Sequence, residues 1–253
     1  MRFASLGSGS RGNALVVEAG RTRVLVDCGF GPRNLATRLA RLALAPGDID
    51  AILVTHEHAD HLSGVRPCAR RHELAVYLTH GSMGAADFDG MSPRVIDSHS
   101  PFAIGDLEVR PFPVPHDARE PVQFVFSDGA ATLGMLTDSG RVTPHMVAML
   151  DGCDALVLEC NHDADMLRQG RYPDHLKRRI AGPYGHLDNA AAAELLARLD
   201  TRRIRHVIAA HLSQENNRPD LARASLARVL GCEPSWIGVA DQDNGCDWRD
   251  LGC

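Results

Sequence analysis

Residues 51–55 (A-I-L-V-T) form a fully apolar run that stops at a cluster of histidines and acids. A strand without alternating polar residues is buried on both faces, as in a sheet that helices cover on each side. Comparable runs lie at residues 155–160 and 205–210, and helical spacing of apolar residues lies at 187–199 and 219–230. Because strands and helices interleave in this way, the sequence predicts an α/β fold with a mixed sheet.

Other periodic segments fit the same scheme. Six further strands are predicted, at residues 2–6, 14–19, 22–28, 108–114, 122–127 and 132–137. The S-D-G-A turn at 127–130 joins the last two as a hairpin. Helices are predicted at 32–44 and 143–150, and a closing strand at 236–240.

Composition narrows the class of protein without identifying it. The chain has 253 residues, of which 44% are hydrophobic, and its 27 Lys and Arg residues oppose 32 Asp and Glu residues for a net charge of −5. These values are typical of globular proteins and exclude a disordered chain, a collagen-like repeat and a coiled coil. With no internal repeat or linker evident, residues 1–253 are predicted to form one domain.

The chain is predicted to be cytoplasmic, with no membrane partner. No apolar run approaches the roughly 18–20 residues that span a bilayer, and residues 1–12 lack the features of a signal peptide. The seven cysteines are odd in number, irregularly spaced and without a C-x-x-C pair, which argues against a disulfide framework or a cysteine-ligated zinc. Cys28 and Cys160 end apolar runs and are expected to be buried.

The cluster after the run at 51–55 reads H-E-H-A-D-H and supplies four metal-binding side chains within six residues. They are His56, His58, Asp60 and His61. Imidazole and carboxylate together suit zinc, manganese or iron. A turn at the carboxyl end of a strand can direct them inward, where α/β sheets usually place their sites.

Three more polar residues lie where predicted strands stop. His116 is in V-P-H-D-A, Asp138 in L-T-D-S-G and His211 in A-A-H-L-S. Each alone is an ordinary polar residue at a strand end. Together with the histidine cluster they form an ordered set of candidate ligands.

That order carries a resemblance to a known family. The motifs are G-S-G-S-R-G-N (7–13), V-D-C-G (26–29), T-H-E-H-A-D-H (55–61), P-H-D-A (115–118), L-T-D-S-G (136–140), L-E-C-N-H-D (158–163), G-H-L-D-N (185–189) and H-L-S-Q-E-N-N (211–217). The chain resembles the metallo-β-lactamase superfamily over its whole length, and within it the YycJ/WalJ-type family of predicted metal-dependent exonucleases. The resemblance implies an αββα sandwich with metals at the common edge of two mixed sheets.

The resemblance also implies a ligand set for two divalent ions, zinc or manganese. One ion is held by His56, His58 and His116, the second by Asp60, His61 and His211, and Asp138 bridges them. Two such ions, roughly 3.5–4 Å apart, hold a hydroxide between them and stabilise charge on a scissile phosphate. Asp27 either orients a ligand histidine or is a plain turn residue at a strand end.

Superfamily members also hydrolyse lactams, lactones and thioesters, so the metal site leaves the substrate open. His186 indicates the substrate more clearly than the metal site does. By its position it resembles an extra histidine of the ribonuclease Z and ribonuclease J branches, which protonates the leaving group or holds the phosphate. With Asp60 and Asp138 it completes the predicted catalytic residues. The alternative for His186 is a structural residue beside a helix start.

Candidate substrate contacts are polar groups near these motifs. They are Ser213 and Asn216 beside the second metal, His162 after an apolar strand, and Ser10 and Asn13 in the opening loop. The alternative is that these polar residues only stabilise turns and contact no substrate.

A basic stretch precedes His186 and is either a contact for a nucleic-acid backbone or a solvated helix face. It comprises Arg168, Arg171, Lys177, Arg178 and Arg179. Only 5% of residues are aromatic and no stacking platform is evident, which suits an enzyme acting at a chain end. Together with these features, the resemblance implies a dinuclear 5′-to-3′ exonuclease acting on DNA rather than RNA. The alternative is a hydrolase of the same fold acting on a cyclic phosphodiester, a thioester or a lactone.

Overall fold

The computed structural model describes residues 1–85 and 87–252. In these residues the strands are β1 (Arg2–Gly7), β2 (Ala14–Ala19), β3 (Thr22–Val26), β4 (Ala51–Leu53), β5 (Ala75–Thr79), β6 (Arg94–Ile96), β7 (Phe102–Ile104), β8 (Leu107–Pro113), β9 (Val122–Ser127), β10 (Thr132–Leu136), β11 (Ala155–Glu159), β12 (His206–Ala210), β13 (Gly238–Val239) and β14 (Cys246–Asp250). They form two sheets, in the orders β14-β1-β2-β3-β4-β5-β6 and β13-β12-β11-β10-β9-β8-β7.

Both sheets are mixed in the same way. In the first, β14, β1, β2 and β3 pair antiparallel, and β3, β4, β5 and β6 pair parallel. In the second, β7 to β10 pair antiparallel and β10 to β13 pair parallel. Neighbouring parallel strands end at the same edge of a sheet, so polar residues that follow them are brought together there.

Helices provide the crossovers that parallel strands require. They are α1 (Pro32–Ala40), α2 (Ala59–Leu62), α3 (Val65–His72), α4 (His80–Met83), α5 (Pro144–Leu150), α6 (Ala164–Gln169), α7 (Asp174–Ile180), α8 (Asn189–Ala197) and α9 (Pro219–Leu230). Short 3₁₀ turns lie at Pro46–Asp48 and Pro234–Trp236.

Three apolar cores separate four layers. One lies between the two sheets and joins residues such as Phe3 and Val24 to Phe124 and Phe126. A second packs the first sheet against α1 and α3, and a third packs the second sheet against α5, α8 and α9. This is the αββα sandwich, and the predicted fold is confirmed.

The predicted elements agree with the structure in position more closely than in length. The strands expected at 22–28 and 51–55 end at Val26 and Leu53, because the chain leaves the sheet before the polar site residues begin. The strand expected at 236–240 is reduced to Gly238–Val239, since Pro234 starts a 3₁₀ turn. The short strands β6 and β7 and the polar helices α6 and α7 were not predicted, because they carry little apolar periodicity.

Two sequence expectations concern cysteines and membranes. Cys28 and Cys160 are buried, and all six cysteines in the described part of the chain are free. Cys253 lies outside the described residues. In residues 1–85 and 87–252, no helix is long and apolar enough to cross a membrane.

Candidate metal centre

Polar side chains from both sheets meet at one edge of the sandwich. From the first sheet, Asp27 follows β3 and His56 follows β4 by three residues. From the second sheet, His116 follows β8, Asp138 follows β10 and His211 follows β12. The parallel strands β3, β4, β10 and β12 deliver their residues to one edge, and β8, which pairs antiparallel, ends at the same edge and adds His116.

Three of these residues have a left-handed backbone. The φ angle is 60° at Asp27, 54° at Asp138 and 55° at His211. Positive φ is uncommon outside glycine, and such residues cluster at functional sites where the surroundings hold them. The conformation turns the chain sharply at the strand end, which lets the side chain enter the gap between the sheets.

His56, His58 and His116 form the first group. Their ring centroids lie 4.6–4.9 Å apart, and one nitrogen from each ring lies within 4.8 Å of the others. His116 donates from Nδ1 to the Gly185 carbonyl at 3.0 Å, so its Nε2 carries the lone pair. That Nε2 lies 3.2 Å from Nδ1 of His58, as ligands of one ion would.

Asp60, His61 and His211 form the second group. Helix α2 begins at Ala59 and places Asp60 and His61 in its first turn. Oδ2 of Asp60 lies 3.3 Å from Nε2 of His61 and 3.5 Å from Nε2 of His211. Asp138 lies between the two groups, with Oδ2 at 3.1 Å from His61 and Oδ1 at 3.9 Å from His116.

Asp27 contacts His61, which is the geometry expected for the first of the two roles considered for it, orienting a candidate ligand. Its Oδ2 lies 2.8 Å from Nδ1 of His61, which leaves Nε2 of His61 free for a metal. Thr55 donates to the two carboxylate oxygens of Asp27 from its backbone N–H and its hydroxyl, both at 2.8 Å. The Asp27 side chain is fully buried, so this small network fixes the imidazole rigidly.

Three buried atoms at the centre lack a hydrogen-bond partner among the described residues. They are Nε2 of His56, Oδ2 of Asp138 and Nε2 of His211. Buried polar atoms are normally paired, and these three belong to the groups just described. Cations bound in these groups would satisfy all three atoms, so the residues present fit a metal centre.

The charge distribution also favours cations. Burial opposes charge on His211, but Asp138, Asp60 and Glu159 outweigh it and raise the pKa of His211 to about 10. Asp138 is buried as well, and its pKa lies well below the ordinary value because His211 and His61 stabilise the carboxylate. The carboxylates thus hold positive charge on neighbouring imidazoles, where a metal ion would provide it instead.

Glu159 is a site residue that sequence reasoning missed. It ends β11, is fully buried, and places Oε1 2.8 Å from Nδ1 of His186 and 3.2 Å from Nδ1 of His211. Its other oxygen accepts hydrogen bonds from the N–H groups of Ser139 and Leu187. Burial alone would raise its pKa, yet the contacts with His186 and His211 lower the pKa to about 2. The signal was present in the sequence, as a carboxylate closing an apolar strand.

The centre opens into a cleft of about 390 Å³, here called the metal cleft. Its lining is Ser10, His58, Ala59, Asp60, Asp117, Asp138, Tyr172, Leu176, Arg179, Ile180, Gly185, His186 and His211. His186 is tied through Nδ1 to Glu159, and Nδ1 also lies 3.3 Å from Asp138. Its Nε2 is therefore the nitrogen left for a molecule in the cleft.

Only some of the predicted substrate contacts line the metal cleft. Ser10 lines the metal cleft, whereas the Asn13 amide nitrogen contacts candidate ligand atoms directly, at 3.0 Å from Nε2 of His61 and 3.1 Å from Oδ2 of Asp60. Ser213 and Asn216 do not line it; the Ser213 hydroxyl accepts from the Asn216 N–H and shapes their own loop. His162 lines a separate cleft.

The second cleft, here called the basic cleft, measures about 410 Å³. It is lined by His162, Ala164, Leu167, Arg168, Asp174, Lys177, Arg178, Ala181 and Asp188. Helix α7 separates the two clefts, with Leu176, Arg179 and Ile180 on one side and Lys177 and Arg178 on the other.

Comparisons with known proteins agree with this geometry. A family model described as "Beta-lactamase superfamily domain" matches residues 22–211. The exodeoxyribonuclease YycJ of Bacillus anthracis is 38% identical over 248 residues, covering 95% of this chain and 92% of the relative. The exodeoxyribonuclease WalJ of Streptococcus pneumoniae is 32% identical over 245 residues, covering 94% and 91%.

Solved structures show the same fold. The metallo-β-lactamase fold protein YhfI from Bacillus subtilis superposes with a TM-score of 0.76 at 17% identity, covering 98% of both chains. Fold and site together define a metal-dependent hydrolase of the metallo-β-lactamase fold. Within that superfamily the chain belongs to the family of the YycJ and WalJ exodeoxyribonucleases.

Metal binding should raise the thermal stability of the protein. We expect Zn²⁺ or Mn²⁺ to raise the Tm of chelator-treated protein, because an ion that binds only the folded chain stabilises it by about 2.7 kcal/mol at 100 times its Kd. Asp138→Ala should remove most of this rise in a thermal melt. His145→Ala, which changes an exposed histidine away from the ligand groups, should keep it. An equal rise in both variants would contradict the assignment of the site.

Proposed function

We propose that the protein is a dinuclear metal-dependent phosphodiesterase that degrades DNA from its 5′ end. The observation that carries the phosphodiesterase chemistry is His186, held by Glu159 beside Asp138 at the wall of the metal cleft. The names of the relatives YycJ and WalJ support DNA as the polymer and an exonuclease as the mode of action. Both sheets supply residues to one site, so we treat residues 1–253 as one functional domain.

In this proposal seven side chains hold two divalent ions, zinc or manganese. His56, His58 and His116 would hold the first, Asp60, His61 and His211 would hold the second, and Asp138, which lies between the two groups, would be available to both. The bound ions supply Lewis acidity toward a phosphate and a hydroxide nucleophile at neutral pH. The chain's own contribution is to fix the ligands: Asp27 orients His61, Gly185 orients His116, and Glu159 orients His211.

His186 donates a proton to the departing oxygen. The hydrogen bond from its Nδ1 to Glu159 fixes the ring and favours a proton on the imidazole, and Nε2 remains for the leaving group. A sugar oxygen is a poor leaving group, so breaking a P–O bond in DNA requires this proton. Hydrolysis of a lactam, lactone or thioester breaks a different bond with a different leaving group, so it would not require His186 in this same role.

The basic cleft supports a polymeric substrate. Lys177 and Arg178, on the face of α7 away from the metal cleft, line it, so a strand that leaves the metal cleft over this helix meets positive charge. The net charge of −5 argues against a generally basic protein, and this patch is local. We also propose the cytoplasm as the compartment, since the six described cysteines are free thiols, as is usual there.

The first test is degradation of 5′- and 3′-end-labelled DNA and RNA by purified protein with added Mn²⁺. We expect loss of DNA beginning at the 5′ end, and RNA to be degraded more slowly. Asp138→Ala, run in parallel, should abolish the loss, which excludes a contaminating nuclease. Intact polymers with metal-loaded protein would overturn the nuclease proposal and favour a small-molecule hydrolase.

The role of His186 can be tested by changing the leaving group. We expect His186→Ala to lower kcat on DNA by about 10²- to 10⁴-fold, the usual contribution of a general acid. On ethyl 4-nitrophenyl phosphate the loss should be much smaller, because 4-nitrophenolate departs without a proton. Metal content by atomic absorption should match the wild type. Equal losses on both substrates would contradict the proton-donor role.

The basic cleft should contribute to DNA affinity through phosphate contacts. We expect Arg178→Ala to weaken binding of a labelled DNA strand and to lower the slope of log Kd against log salt by about one. Fluorescence anisotropy in the Asp138→Ala background measures this without cleavage. Arg228→Ala, an exposed arginine on α9 that lines neither cleft, is the matched control. The same salt slope in wild type and Arg178→Ala would contradict the contact.

A further inference from the structure

One wall of the metal cleft is apolar and belongs to a single segment. Tyr172, Leu176 and Ile180 all line the cleft, and they are spaced four residues apart. Leu176 and Ile180 lie one turn apart on α7, and Tyr172 precedes the helix on the same side. The metal-binding groups and His186 line the same cleft, so the cleft combines an apolar surface with a strongly polar one.

This wall takes no part in the apolar cores. None of the residues of α7 is buried, and Tyr172, Leu176 and Ile180 are all partly exposed. Polar contacts hold the helix instead: Arg179 pairs with Asp117 at 2.7 Å, and the His186 N–H donates to the Ile180 carbonyl at 2.9 Å. The second contact fixes the wall directly relative to His186.

The ring of Tyr172 is free to receive a ligand. Within residues 1–85 and 87–252 it has no aromatic or cation–π partner, and its hydroxyl makes no hydrogen bond. An aromatic ring in a cleft is a surface for a flat π-system, and the guanidinium of Arg179 lies on the same wall. Although aromatic residues are few in this chain, the fold brings one to the cleft.

We propose that Tyr172, Leu176 and Ile180 bind the nucleobase of the nucleotide whose phosphate lies at the metal centre. This rests on the proposed function, which places a phosphate there. A nucleotide is anionic at one end and flat and apolar at the other, which matches the two walls. The cleft volume of about 390 Å³ is near the lower end of the usual range for small-ligand sites, about 300–1,000 Å³, and suits one nucleotide rather than a duplex.

The wall has consequences for specificity. Every base presents a π-face, so stacking on Tyr172 tolerates any sequence. Tyr172, Leu176 and Ile180 carry no amide or carboxylate to read a base edge, and Arg179 beside them is paired with Asp117. Unstacking a base to place it here is easiest at a chain end, in keeping with exonuclease action.

Binding can be measured without cleavage. Protein loaded with Mn²⁺ is titrated by calorimetry with thymidine 5′-monophosphate, thymidine 3′-monophosphate and ethyl phosphate, which has no base. At least one thymidine monophosphate should bind about 10-fold more tightly than ethyl phosphate, as one base–aromatic stack provides. Tyr172→Ala should remove this preference and Tyr172→Phe should restore it. Leu176→Ala, a second change on the wall, should reduce it.

His175→Ala is the matched control, because His175 is an exposed residue of α7 that lines neither cleft, and it should keep the preference. Equal affinity of the wild type for all three ligands would overturn the base-binding wall, whatever the nuclease assay shows. A preference that survives Tyr172→Ala and Leu176→Ala would also overturn it. Preferential nucleotide binding that depends on Tyr172, with labelled polymers left intact, would instead support the wall and overturn the nuclease.

Discussion

The burial of carboxylates among imidazoles at one sheet edge is the constraint on which the site depends. Asp27, Asp138 and Glu159 are almost fully buried, and a buried charge is costly unless it is paired. Each contacts at least one histidine, and His211 contacts two of these carboxylates. The backbone turns, the ligand geometry and the orientation of His186 all follow from satisfying these charges.

Much of the fold and of the ligand set was predictable from the sequence, because the signals are local. An apolar strand that stops at a polar residue marks both the strand and its carboxyl end, as at His56 and Asp138. Interleaved strands and helices predict an α/β fold with a mixed sheet, whereas the αββα layers and the division of the ligands between two ions came from the resemblance to the metallo-β-lactamase superfamily. Whether a residue faces the metal cleft is not a local property. His162 follows an apolar strand just as His211 does, yet the chain turns it into the basic cleft.

The site residues that were not predicted also owe their roles to tertiary contacts, which local sequence patterns do not show. Glu159 is the last residue of a strand and was read as part of the apolar run, although its carboxylate connects His186 with His211. Helix α7 buries no side chain in a core, and its seven residues include only two apolar side chains, Leu176 and Ile180, too few to predict a helix from sequence. Its role comes from its position between two clefts, which depends on contacts such as Arg179 with Asp117, distant in sequence. Such contacts are set by tertiary structure alone.

Each ligand group draws on both sheets. His116, from the second sheet, joins His56 and His58 from the first, and His211 joins Asp60 and His61. An ion in either group is therefore a cross-link between segments far apart in the sequence, comparable with a disulfide in the way it restricts the unfolded chain. Ions bound in both groups, as proposed above, would join the two sheets at the rim where the metal cleft opens, and would therefore stabilise the sandwich as well as take part in catalysis.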